Sequence, residues 1–263
     1  MLSVRQQDIL ALARQQGRVN VEELSARFDV SPQTIRKDLN ELCDQRVLSR
    51  IHGGAVVASS VENLAYEARR FIAQDEKRAI GRAAAALIPH NASLFINIGT
   101  TTEEVARALH NHSGLLVITN NLHVATLLYP HPRIDVIVAG GPVRRSDGGV
   151  VGSAAVDLIR QFKVDYAVIG TSGIDPDGAL LDFDYREVRV SQAIIENARK
   201  VVLVADKVKF DRSAPVRIGH LSDIDIFVTD HIPSEPLRDL CRQEGIQVVE
   251  AEPGPAHEDE ASE

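Results

Sequence analysis

The stretch Val30-Ser-Pro-Gln-Thr-Ile-Arg-Lys-Asp-Leu-Asn-Glu-Leu42 spells a capped helix with one apolar stripe and one polar face. Ser31 is suited to the cap and Pro32 to the first turn, where a missing N–H costs nothing and the ring's fixed φ is already helical. Ile35, Leu39 and Leu42 fall on one stripe, which leaves Gln33, Thr34, Arg36, Lys37 and Asn40 around the rest of the surface. Hydroxyl, amide and guanidinium groups of this kind read base edges in the major groove or hold phosphates. Asp38 and Glu41 add acidity to that surface, and taken alone the stretch reads as an ordinary solvated helix.

Its neighbours change the reading. Upstream, Ile9, Leu10, Leu12 and Ala13 have helical spacing between Val4 and Gln16, with Gly17 as the stop. A second, short helix is expected at once, because Asn20 and Glu23 have the form of a capping box and Leu24 and Phe28 supply an apolar stripe. Asp29 and Val30 then turn tightly into the opening helix, which makes a helix-turn-helix. Downstream, Val47, Leu48 and Ile51 are β-prone, and His52-Gly53-Gly54 turns into Ala55–Val57, so two short strands form a wing.

On Ser31–Leu42 and Leu48-Ser-Arg-Ile-His-Gly-Gly54, residues 4–57 resemble the winged helix-turn-helix of the DeoR family of bacterial repressors. The chain departs from that family at Arg46, where a Gly or Asn usually serves the left-handed turn after the recognition helix. The resemblance implies double-stranded operator DNA as partner, with Gln33, Thr34 and Arg36 reading bases, Ser31, Lys37, Arg50 and His52 nearer phosphates, and Asn40 on the same face.

Length and charge bound the rest. The chain has 263 residues, enough for two domains with separate cores. Residues 1–58 carry eight basic and seven acidic side chains, whereas residues 81–263 carry 17 and 26. With a net charge of −8, broad affinity for nucleic acid is disfavoured and localised contact is favoured. Cys43 and Cys241 are too few and too separate for a disulfide framework and fit a reducing compartment. No signal peptide or membrane-spanning run is evident, so a cytoplasmic protein is expected. The expected domains are a DNA-binding unit at 1–58, a linker at 59–74, a larger unit at 75–250 and a disordered acidic tail at 251–263.

In the larger unit, Ala73–Leu87 reads as an Ala-rich entry helix. Apolar runs at Leu94–Ile98, Leu116–Thr119, Ile134–Val138, Tyr166–Ile169, Val201–Ala205, Ile226–Thr229 and Gln247–Val249 then alternate with helical patterns. That alternation predicts a mostly parallel α/β sheet, whose ligands bind beyond the strands' carboxyl ends. Four successive strands end in small or polar loops: Gly99-Thr100-Thr101-Thr102-Glu103, Thr119-Asn120-Asn121, Ala139-Gly140-Gly141 and Gly170-Thr171-Ser172-Gly173. The first suits a phosphate at a helix N-terminus. None has the dinucleotide fingerprint. Asp182, Asp184 and Glu187 are candidates to accept from sugar hydroxyls, and Lys207 or Lys209 to offset a phosphate charge. Equally, Asp184 and Glu187 are placed to cap and complement a helix starting near Val188.

Residues 75–230 resemble the DeoR-type sensor domain, itself similar in fold to ribose-5-phosphate isomerase. Gly148–Gly152, Gly170–Asp175, Phe183–Val188 and Ile194–Asn197 are most like family members that govern glycerol metabolism. The resemblance prefers Lys209 over Lys207 and implies glycerol-3-phosphate or a related phosphorylated metabolite as effector, no cofactor, and a homodimer or homotetramer.

Other signals read more plainly. His110 and His112 lack a third ligand and are taken as solvated rather than metal-binding. Asp175-x-Asp177-Gly178 fails as a calcium loop, since the sixth position is Leu180 and the twelfth Arg186. Asp147-Gly-Gly149 reads as a turn. Three functions stay open: a ligand-released repressor, of glycerol metabolism or of another sugar-phosphate operon; a sugar-phosphate isomerase with Glu187 and Asp182 or Asp184 as its carboxylates; and an NAD-sensing repressor.

Overall fold

The structure is a computed structural model that describes residues 2–16, 18–44, 48–51, 53–57 and 66–252. By its internal contacts the chain divides into two units, 1–74 and 75–263.

The first unit runs α1 (Val4–Gln16), β1 (Arg18–Asn20), α2 (Val21–Phe28), α3 (Pro32–Asp44), β2 (Leu48–Ile51), β3 (Gly54–Val57) and α4 (Tyr66–Phe71). Ile9, Ala13, Leu24, Ile35, Leu39, Leu42 and Leu48 close one core between the helices and the sheet. The wing has three strands rather than two, because β1 adds antiparallel to β3 in the order β1-β3-β2. Three residues with a buried Val19 in the middle carry too little pattern to predict a strand. Asn20 therefore ends a strand and caps α2 through Glu22 N at 2.7 Å, in place of the expected capping box with Glu23.

The two wing glycines do different work. Gly53 takes φ +74, and a Cβ on Gly54 would stand 1.9 Å from the Val19 carbonyl oxygen, so β1 approaches only because that Cβ is missing. Asp29 makes the turn into α3 in the left-handed region, at φ 52 and ψ 48. His52, Arg46 and Gly17 lie outside the described residues.

The second unit runs α5 (Gln74–Ala86), β4 (Ser93–Ile96), α6 (Thr100–Ala108), β5 (Leu115–Thr119), α7 (Leu122–Leu128), β6 (Ile134–Val138), α8 (Ser153–Ile159), β7 (Val164–Ile169), β8 (Gly173–Ile174), β9 (Ala179–Asp182), α9 (Tyr185–Glu196), β10 (Ala198–Val204), β11 (Val216–His220), β12 (Ile226–Thr229), α10 (Glu235–Gln243) and β13 (Gln247–Glu250). All seven expected strands are present and pair parallel, in the order β13-β12-β10-β7-β4-β5-β6. Apolar side chains of α8, α9 and α10 belong to one core cluster and those of α5, α6 and α7 to the other. With helices packing on both faces, the strands read as short continuous apolar runs.

β8, β9 and β11 form a second, antiparallel sheet that the apolar runs do not mark. Its hairpin turns on Asp175-Pro-Asp-Gly178, with Gly178 at φ +88 and its N–H donating to the Asp175 carbonyl. All four residues of β9 are buried, so no alternation marks it.

Three expected boundaries move. α4 lies within the segment taken as a plain linker, with Tyr66 buried. α9 begins at Tyr185, not near Val188, because Asp184 caps it through Arg186 N. The Ala251 N–H donates to the Thr229 carbonyl at 2.7 Å and Ala251 is buried, so the sheet's ladder reaches into the segment assigned to the tail. Residues 253–263 lie outside the described residues. Among the described residues, no helix is long and apolar enough to cross a membrane.

Candidate functional site

In the first unit, α3 is seated by its stripe: Ile35, Leu39 and Leu42 are fully buried. Ser31 caps it, accepting from Thr34 N at 3.2 Å, and its hydroxyl meets that of Thr34 at 2.9 Å. Gln33, Arg36, Lys37 and Asn40 are exposed, as is Arg50 on β2. Asp38 does not share that face. It is buried and accepts from Arg5 Nε of α1 at 2.5 Å, while Glu41 is half-buried and accepts from Gln6 Nε2 at 2.6 Å. The outward surface between positions 33 and 40 is thus cationic and amide-bearing, with its carboxylates turned inward.

In the second unit, strand order reverses between β4 and β7: β5 and β6 continue to one side, β10, β12 and β13 to the other. Such a switch point opens a crevice at the carboxyl ends of the two central strands. The loops Gly99–Glu103 and Gly170–Gly173 follow those two strands. A Cβ on Gly170 would lie 3.7 Å from Thr102 Cγ2 and 3.8 Å from the Ile98 carbonyl, so the two loops approach one another at this position.

Thr102 fastens its loop, donating to Asn97 O at 2.7 Å and Gly99 O at 2.8 Å. Thr100 and Thr101 are buried beside it at the start of α6. Asn121 caps α7 through His123 N and donates to Glu103 Oε1 at 3.2 Å, tying α6 to α7. Asn120 Nδ2 donates to Val150 O at 3.1 Å, but its buried Oδ1 has no hydrogen-bond partner. Asp206 Oδ2, beyond β10, is likewise buried without one. Two orphaned acceptors are uncommon in a packed interior, and a ligand hydroxyl or a water would satisfy each.

The carboxylates gather on one arginine. Arg144, on the loop between β6 and α8, holds Asp147 through two bonds at 2.8 and 2.7 Å, Asp184 Oδ2 at 3.1 Å, and Glu187 through a short contact. Asp182 is held separately, by Ser172 Oγ at 2.9 Å and Phe183 N at 2.6 Å. Burial, aided by the nearby Asp182 charge, pushes the Glu187 carboxyl up to about 8 against the pull of Arg144. The Asp184 carboxyl lies well below the ordinary range, chiefly through Arg186 and then Arg144. Arg144 itself keeps its charge despite burial, because Asp147 and Glu187 raise its pKa. One arginine therefore gathers three carboxyls, of which Asp184 is held low by its arginines and Glu187 is raised by burial.

The two lysines separate clearly. Lys207 is exposed and pairs with Asp230 at 3.4 Å and Glu76 at 3.5 Å, while Lys209 is buried in the turn after β10. Gly140 and Gly141 are exposed at the end of edge strand β6, with β5 between them and the switch point. The second half of that loop folds back instead: a Cβ on Gly149 would meet Ile98 Cδ1 at 2.4 Å, and Val150 N donates to Asn120 O.

Several site residues escape a reading of the sequence. Asp147 is not merely a turn residue, since it grips Arg144. Asn97 Nδ2 donates to Ser191 Oγ at 2.7 Å, joining β4 to α9. Lys77 is almost wholly buried on the stripe it shares with Ile80, Gly81 and Ala84, and a cation at an apolar helical position is a legible signal. His112 points Nε2 at the Ile88 carbonyl, 2.9 Å away. Among the described residues, no group of three His, Cys, Asp or Glu side chains is placed to hold a metal.

A family model described as the DeoR-like helix-turn-helix domain matches residues 5–61, and one described as the DeoR C terminal sensor domain matches residues 72–231. The glycerol-3-phosphate regulon repressor of Escherichia coli (strain K12) is 48% identical over 93% of this chain and 97% of its own. The protein of the same name from Haemophilus influenzae is 49% identical over 88% of this chain and 90% of its own. Ribose 5-phosphate isomerase A from Methanocaldococcus jannaschii superposes with a TM-score of 0.39 at 15% identity, over 52% of this chain and 55% of that one, a likeness too slight to bear on function. Matched along both of its units, the chain belongs to the DeoR family of transcriptional repressors.

Proposed function

We propose that the protein is a cytoplasmic, homo-oligomeric repressor of glycerol and glycerol-3-phosphate metabolism, released from operator DNA by glycerol-3-phosphate or a related phosphorylated metabolite. The observation that carries this reading is the presence, in one chain, of an exposed cationic helix face and a switch-point sheet whose strand-end loops carry buried hydroxyls, carboxylates and a lysine. Gln33, Thr34 and Arg36 read base edges, while Ser31, Lys37, Asn40, Arg50 and His52 position the duplex. In the crevice, the start of α6 at Gly99–Thr102 and Lys209 take the phosphate, with Asp182, Glu187 and Asn120 accepting from hydroxyls.

Release follows from linkage. An effector that binds more tightly to the conformation with mis-spaced DNA-binding units lowers operator affinity by that same ratio. The curated relatives are repressors rather than enzymes, and the carboxylates serve recognition here, not proton transfer. A gel shift tests the reading: millimolar glycerol-3-phosphate should release a duplex that the protein selects from a random pool, and glycerol should not. Release by hexose phosphates alone would replace the regulon assignment and keep the repressor.

A further inference from the structure

The recognition helix carries as many carboxylates as cations between positions 36 and 41, with Arg36 and Lys37 against Asp38 and Glu41. A carboxylate free to swing toward a phosphate is repelled by it even in water, so an unrestrained Glu41 would undo much of what Lys37 contributes. Both acidic groups are instead held against α1 by consecutive residues. Arg5 neutralises Asp38 at 2.5 Å, and Gln6 Nε2 donates to Glu41 Oε2 at 2.6 Å and to Asp38 Oδ1 at 3.5 Å.

Gln6 cannot turn its amide round. Its Oε1 accepts from Ser3 N at 3.0 Å while Ser3 Oγ accepts from Gln6 N at 3.2 Å, a reciprocal cap on α1. The oxygen is thus committed to the cap and the nitrogen to the carboxylates. At 4% exposure, Gln6 has no surface to offer DNA itself.

We infer that Arg5 and Gln6 are positioning residues for DNA recognition, holding Asp38 and Glu41 off the reading face so that α3 presents Arg36 and Lys37 uncompensated. The inference rests on the assignment of α3 as the reading helix. Gln6 acts through Glu41, and its loss weakens binding without removing any contact to DNA.

Gln6→Glu breaks the hold, because glutamate keeps the reciprocal cap with Ser3 yet cannot donate to another carboxylate, and the charge it adds is cancelled in the double variant with Glu41→Gln. Measured with the full chain on a duplex selected by the wild type, its affinity should fall about tenfold at low salt, with the gap closing as salt rises. Adding Glu41→Gln restores the hydrogen bond with donor and acceptor exchanged, and affinity should return to the wild-type value or above. Because the double variant carries the wild-type net charge, a purely structural role for Gln6 would leave it as weak as the single variant. Glu41→Gln alone, which keeps the folded cap intact, should change affinity less than about twofold, because Glu41 is already held away. The inference is overturned if Gln6→Glu binds as the wild type does, if the double variant stays as weak as the single, or if Glu41→Gln alone gains tenfold. Should the wild type select no duplex at all, the assignment of α3 as the reading helix fails instead.

Discussion

α3 and α9 are built alike and used oppositely. Each starts at a capping side chain, Ser31 or Asp184, and each carries arginine and carboxylate within its first turns. On α3 the carboxylates of Asp38 and Glu41 are held by Arg5 and Gln6, leaving Arg36 and Lys37 exposed. At α9 the carboxylates of Asp184 and Glu187 face a half-buried arginine from another loop, and the charges close on one another. A polyanion is met by an open cationic face, whose worth depends on salt. In the proposed function a small ligand would instead meet buried, paired groups, whose worth depends on geometry and proton occupancy.

The contrast breaks most sharply at Arg144. Arg144→Ala would strand Asp147 and Glu187 and leave Asp184 with Arg186 alone, and losing one partner of a buried ion pair costs about 3–5 kcal/mol. A large drop in the unfolding midpoint of the second unit is expected, with intrinsic operator affinity per folded molecule preserved. A midpoint unchanged by the substitution would mean that Arg144 is a surface residue in practice.

Arg36→Ala probes the other side and should cost about 1–3 kcal/mol of operator affinity if the guanidinium reads a base edge. Thermal stability should barely move, because the side chain is exposed. Binding weakened equally on every duplex would demote Arg36 to a phosphate contact.

A third probe concerns the Glu187 proton. Its carboxyl titrates near 8 in the folded protein and near the ordinary glutamate value of 4.5 when unfolded, so the folded state holds more protons between those values. Stability must therefore fall as pH rises through that window, and Glu187→Gln should remove about 3 kcal/mol of that fall between pH 5 and 8. Parallel pH profiles for the two proteins would show that the carboxyl is ionised throughout.

Much of the fold is legible in the amino-acid order. Apolar runs mark all seven parallel strands, and Ser31 and the Gly-Gly turn mark the DNA-binding unit, because each is a property of a few adjacent residues. The third wing strand and the small antiparallel sheet leave no such mark, being short or buried on both faces. Asp38 and Glu41 read as part of the polar face because helical spacing alone does not reveal that α1 supplies partners on that side. Asn97 and Ser191 meet across 94 positions and Arg144 and Glu187 across 43, and no local pattern anticipates such pairs.

Periodicity, caps and turn residues are local, and they are enough to establish a helix-turn-helix followed by a parallel α/β unit. Strand order is not local: which loops face the crevice depends on β4 and β7 lying side by side, as in the pairing of Ile96 with Val168, and only packing brings such distant segments together. The same holds for charge. The residues of α3 dictate how many charges it carries, but the packing of α1 decides which of them DNA would meet, since burial and hydrogen bonding, not sequence order, set the direction in which a side chain points.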